Sequence, residues 1–138
     1  MQKQLENLLE FQTKFRGIVN TKPTLLEEKD WKLRLKLSQE ELDEYEQACK
    51  DKDIVEIFDS ILDRLFLAYG DAVSHGLQDY LIEGFNEVVM SNLSKLDKDG
   101  NPIINGENGY LDNSRPLGKV LKSELFFQPR LKEILNRK

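Results

Sequence analysis

The sequence predicts an all-α fold, a bundle of four to five helices with one antiparallel acidic hairpin. Apolar residues recur at three- and four-residue spacings along most of the chain. Helix-start patterns of the form S/T/D-x-x-E stand at Thr24–Glu27 and Asp53–Glu56. No stretch alternates convincingly in the two-residue period of a half-buried strand.

The first helix is expected over about Lys3–Gly17, with Leu5, Leu8, Leu9, Phe11 and Phe15 as its apolar positions. "NTKPT" interrupts it, and Thr24 with Glu27 offers a capping box for a long helix to Lys50. Ser38 with Glu41 could instead open a separate helix within that span. Asp53 caps a strongly apolar helix that ends at His75–Gly76, where the lone histidine reads as a helix C-terminal residue rather than a catalyst. Asp79 starts a fourth helix running to about Leu96. The Gly-, Asn-, Asp- and Pro-rich stretch "DKDGNPIINGENGYLDNSRPLG" reads as an extended loop, and Pro129 opens a short last helix. "DKDGN" is not an EF-hand, because position 6 from Asp97 is Pro102 and position 12 is Asn108. The organisation is one domain over 1–138, with an N-terminal helix and linker (1–23), core helices (24–96), and a loop with the short last helix (97–138).

At 138 residues and 39% hydrophobic, the chain is long enough for one real core. The net charge of −5 comes with no basic cluster, which argues against nucleic acid as a partner. No apolar run reaches the roughly 18–20 residues that cross a bilayer, so no membrane partner is expected. The polar N-terminus lacks a signal-peptide pattern, and Cys49 is the one cysteine, so an intracellular, cytoplasmic setting is expected.

The acids carry the chemistry. Leu33, Leu37, Glu41, Glu44 and Ala48 follow one another at spacings of four, four, three and four, so two carboxylates continue an apolar stripe. Unpaired charge on such a stripe is costly and calls for a compensating partner, provided that the helix runs through Ser38. If a helix starts at Ser38, Glu40 and Glu41 are ordinary first-turn acids. In the next helix Glu56, Asp59 and Asp63 stack at i, i+3 and i+7. The short turn around Lys52 folds the two helices into a hairpin. Glu44 and Asp59 lie eight and seven residues from Lys52, and Glu41 and Asp63 each lie eleven away. At about 1.5 Å per residue the two sets share a level. Converging carboxylates with no Lys or Arg among them repel one another unless divalent cations bind. All-oxygen ligands suit Mg²⁺ or Mn²⁺, and the absence of Cys and His disfavours zinc.

"EELDE" followed by "EIFD" resembles the E-x-x-E … E-x-x-D signature of the all-α NTP pyrophosphatases, the superfamily of MazG-like proteins, dimeric dUTPases and phosphoribosyl-ATP pyrophosphohydrolases. "EVVMSNLSKLDKDGNPI" and "GKVLKS" resemble the C-terminal part of a phosphoribosyl-ATP pyrophosphohydrolase-like branch, and the likeness covers roughly residues 25–135. The resemblance implies a helical bundle assembled as a homodimer or homotetramer, with Mg²⁺ held by Glu41, Glu44, Glu56 and Asp59. Asp63, one turn beyond, completes or supports that set, and Glu40 matches an acid that helps to activate the attacking water. It also implies cleavage between the α- and β-phosphates of a nucleoside triphosphate or related nucleotide, as in nucleotide-pool clean-up. Phosphoribosyl-ATP hydrolysis in histidine biosynthesis and a non-catalytic helical dimerisation module are the alternatives. Asn92 and Lys95, three apart near a helix end, can face one ligand, and with Lys119 and Lys122 they are expected to grip phosphates. Glu87 and Ser91 share the Lys95 stripe as weaker candidates. Trp31, Tyr45 and Tyr69 are expected to pack. The loop before Lys119 is longer than the branch leads one to expect.

Overall fold

The computed structural model describes residues 1–137 and is helical as expected, with α1 (Gln2–Lys14), α2 (Glu28–Asp51), α3 (Ile54–His75), α4 (Leu81–Leu93) and α5 (Leu131–Asn136). One minimal sheet joins β1 (Ile103–Ile104) to β2 (Val120–Leu121), antiparallel, with Ile103 opposite Leu121 and Ile104 opposite Val120. That sheet corrects the expectation of an unbroken loop. Each strand is two residues long, too short for a period-2 pattern to show. The chain divides into two compact units, Met1–Ile82 and the segment from Glu83 onward.

In the first unit α3 packs against both α1 and α2. Leu5 and Leu8 of α1, Ala48 of α2, and Ala72 and Val73 of α3 form its buried apolar centre. Buried Gln12 of α1 donates from Nε2 to the Ile18 carbonyl (2.6 Å) and to Ser74 Oγ (3.1 Å). Arg34 of α2 pairs with Asp71 through Nε and donates from Nη2 to the Leu67 carbonyl at 3.0 Å.

α2 is continuous through Ser38, so Glu40 and Glu41 stand in mid-helix rather than in a first turn. Its N-cap is Glu27, not Thr24. Thr24 is committed elsewhere: its N–H donates to the His75 carbonyl (2.8 Å) and its hydroxyl to the Lys22 carbonyl (2.6 Å). His75 Nδ1 donates in turn to the Thr24 carbonyl at 2.9 Å, so the histidine ties the linker to the end of α3. Gly76 closes α3 at φ +71°, and a Cβ there would lie 2.0 Å from the Lys22 carbonyl oxygen. Only glycine fits both conditions.

The turn between α2 and α3 is a single left-handed residue, Lys52 (φ +55°), followed by Asp53. Asp53 caps α3 as expected, its Oδ1 accepting from the N–H groups of Val55 (3.0 Å) and Glu56 (3.2 Å).

In the second unit, Glu87 of α4 holds Arg130 through a forked pair, Nε to Oε1 at 2.8 Å and Nη2 to Oε2 at 3.2 Å. Arg137 reaches Glu83 at 2.8 Å. Buried Ser91 donates to the Phe127 carbonyl at 2.8 Å. α4 ends at Leu93, short of the expected Leu96. Beyond it Asp97 closes its own turn, Oδ1 accepting from the N–H groups of Asp99 (2.9 Å) and Asn101 (2.8 Å).

Candidate metal centre

The hairpin brings together Glu41 and Glu44 of α2 with Asp63 of α3: one carboxylate oxygen from each lies within 4.8 Å of the other two. The level counting about Lys52 agrees for Glu41 and Asp63, each eleven residues from it, while Asp59, counted level with Glu44, is not in the group. Among the described residues no Lys or Arg forms an ion pair with any of the three. Glu41 Oε2 is buried and has no hydrogen-bond partner.

The electrostatics follow from that geometry. Burial, the largest cause, pushes the Glu41 carboxyl up to about 7, and the charges of Glu44, Asp63 and Asp59 push in the same direction. The Asp63 carboxyl is also raised, first by burial and then by Asp59 and Glu44. Asp59 is thus an electrostatic neighbour of the group without belonging to its tight cluster. Glu56 lies outside. It stands on the first turn of α3, one turn nearer Lys52 than Asp59, and is exposed. Glu40 is exposed on the adjoining position of α2 and is likewise outside the group.

A partnerless buried carboxylate oxygen beside two more acids is the pattern that a hard divalent cation satisfies. The oxygen donors fit Mg²⁺ or Mn²⁺ and offer no soft ligand.

The phosphate candidates lie in the second unit. Lys95, Lys119 and Lys122 line one pocket of about 420 Å³, together with Asp112, Arg115, Val120 and Leu121. Lys95 sits in the turn after α4 rather than on the helix, so the i, i+3 argument that paired it with Asn92 does not hold. Asn92 is exposed and does not line the pocket. The weaker candidates are structural: Glu87 is occupied by Arg130, whose hydrogen bonds hold its carboxyl below the usual range, and Ser91 by the Phe127 carbonyl. Arg115 was missed, since a single Arg in a Gly/Asn-rich loop carries no periodic signal.

The family model for phosphoribosyl-ATP pyrophosphohydrolase matches residues 8–92, which contain both acid motifs. The chain belongs to the phosphoribosyl-ATP pyrophosphohydrolase family. This places it in the MazG-like superfamily of all-α NTP pyrophosphatases, as the two motifs implied. Family members are pyrophosphohydrolases, and the chain is accordingly a nucleotide pyrophosphohydrolase-type enzyme that acts on phosphoanhydride bonds. No curated protein matches the chain. The matched region ends at residue 92, so the whole basic pocket lies beyond it. No helix among the described residues is long and apolar enough to cross a membrane.

Proposed function

We propose that the chain is a Mg²⁺-dependent nucleotide pyrophosphohydrolase that cleaves between the α- and β-phosphates of a nucleoside triphosphate or related nucleotide. The products are a monophosphate and pyrophosphate. The observation that carries this reading is the Glu41–Glu44–Asp63 group, with its partnerless buried oxygen, inside the region matched to a pyrophosphohydrolase family.

Glu41, Glu44 and Asp63 hold the cation, and Asp59 and Glu56 join them if their side chains turn toward it from α3. A cation held there would supply charge neutralisation on the phosphates and lower the pKa of a water molecule. Glu41 must be ionised to serve as a ligand, so cation binding and loss of its proton are linked. Glu40, free of the acid group, accepts a proton from the attacking water. Lys95, Lys119 and Lys122 take phosphate charge, and Asn92 is the weakest of the proposed phosphate contacts. Phosphoanhydride cleavage is largely positioning and charge stabilisation, chemistry that a carboxylate-held cation and lysine ammonium groups are suited to.

The exposed apolar side chains of α2 and α3, among them Leu35, Leu42, Phe58 and Leu62, support assembly as a homodimer or homotetramer. Phosphoribosyl-ATP is the second reading of the substrate, favoured by the family description. A panel of nucleoside triphosphates and phosphoribosyl-ATP, incubated with the purified chain and Mg²⁺, tests the proposal. Monophosphate and pyrophosphate from at least one of them are expected. Release of inorganic phosphate alone, or no product, would overturn it.

A further inference from the structure

Asn105, directly after β1, is the most enclosed polar residue of the second unit, 2% exposed. Its side-chain amide donates to the carbonyls of Asp112 (2.9 Å), Arg115 (3.0 Å) and Pro116 (3.0 Å), and its Oδ1 accepts from the Asp112 N–H (2.7 Å). Its backbone is used as well: its N–H donates to the Lys119 carbonyl (2.8 Å) and its carbonyl accepts from Gly118 (2.9 Å). One asparagine therefore gathers residues 112–119 around itself. A loop of this composition would otherwise sample many conformations.

This scaffold fixes what the loop presents. The Asp112 carboxylate accepts from the N–H (2.9 Å) and hydroxyl (2.6 Å) of Ser114 and meets Arg115 Nε at 3.3 Å. Nε is the guanidinium nitrogen nearest that carboxylate, and a guanidinium carries four further N–H donors on its terminal nitrogens. Arg115 lines the same pocket as Lys95, Lys119 and Lys122, so four cations face a single carboxylate, Asp112. Lys122 Nζ also lies 4.6 Å from the centre of the Phe126 ring. An Arg fork beside lysines recognises phosphate oxygens in a chain that is acidic overall.

We propose that Arg115, held by the Asn105-centred loop, completes with Lys95, Lys119 and Lys122 a binding site for a diphosphate group. The group is either free pyrophosphate or the diphosphate of a nucleotide. The reading of the chain as a nucleotide hydrolase supplies the source of this ligand, while the site itself stands on the second unit alone.

Isothermal titration of the full chain in EDTA with inorganic pyrophosphate, ADP and AMP tests the site apart from metal-dependent turnover. Saturable pyrophosphate binding that weakens with salt is expected, with AMP bound at least about tenfold more weakly than pyrophosphate. Binding of ADP as tightly as pyrophosphate identifies the nucleotide's diphosphate as the ligand, and preference for pyrophosphate identifies the released product. R115Q should weaken pyrophosphate about tenfold with an unchanged melting temperature. R115K, which keeps the charge without the fork, should fall between, and it provides the comparison if R115Q melts early. Absence of pyrophosphate binding, or wild-type affinity in R115Q and R115K, would overturn the inference. Pyrophosphate binding through Arg115 without hydrolysis of any nucleotide would leave this site standing and remove the proposed function. Hydrolysis with pyrophosphate binding indifferent to Arg115 would do the reverse.

Discussion

Glu41 concentrates the chemistry of the first unit in one side chain. In the folded chain its carboxyl is raised from 4.5 to about 7, mainly by burial. Between those values the native state holds a proton that the unfolded chain has released. Stability from this group is therefore greatest below about pH 4.5 and is lost as pH rises toward and through about 7. Asp63 is raised for similar reasons and acts in the same direction. Thermal melts in EDTA should show the melting temperature falling between about pH 5 and pH 8, with a shallower fall in Glu41→Gln. Added Mg²⁺ should raise the melting temperature most at the high end of that range, where the ligands are ionised. A pH-independent melting temperature in EDTA would contradict the partly buried, mutually repelling group. At this scale the sequence was most informative where a residue broke a pattern: Glu41 and Glu44 interrupt an apolar stripe, and the structure brings both together with Asp63. Asn105 and Arg115 break no pattern. Their roles come from long-range closure of a loop, which local spacing does not encode.

At the scale of elements, two short signals hold the hairpin and the linker in place. Asp53 satisfies two orphan N–H groups of α3, and Asp53→Ala should cost about 1 kcal/mol in chemical denaturation. A substitution at Gly76 meets both a left-handed backbone and the Lys22 carbonyl 2.0 Å from the new Cβ. Gly76→Ala should therefore cost about 2–4 kcal/mol, and a loss below about 1 kcal/mol would mean that the linker yields freely. Helix starts and stops with such caps, at Asp53 and at His75–Gly76, were legible from sequence. The start of α2 was not, because Thr24 has the residue type of a cap but is drawn into hydrogen bonds with the end of α3. The end of α4 was overrun for a related reason. "SNLSKL" continues the helical spacing, but Ser94 and Ser91 turn to the Phe126–Phe127 segment, Ser94 Oγ accepting from the Phe127 N–H at 3.1 Å.

At the scale of the whole molecule, large apolar side chains stand exposed on both helices of the hairpin. Ile54, Val55 and Phe58 on α3 and Leu35 on α2 are all at least 60% exposed. Size-exclusion chromatography with light scattering should give a multiple of the monomer mass, and Phe58→Glu should shift it toward the monomer. A wild-type monomer would contradict the proposed assembly. The all-α class, the hairpin and the family followed from periodicity and two acid motifs, because helices and their turns are local. The β1–β2 pair and the basic pocket join residues that are far apart in the chain; the pair was not foreseen, and the pocket only in its three lysines. The proposed role of the Glu41–Glu44–Asp63 group as a cation-dependent centre for phosphoanhydride hydrolysis is tested most directly by turnover of wild type and Glu41→Gln on the preferred nucleotide, with Mg²⁺ and with EDTA. Pyrophosphate release by wild type only with Mg²⁺, falling at least about a hundredfold in Glu41→Gln while the variant stays folded, is the expected result. Equal release by the folded variant, or release unaffected by EDTA, would contradict it.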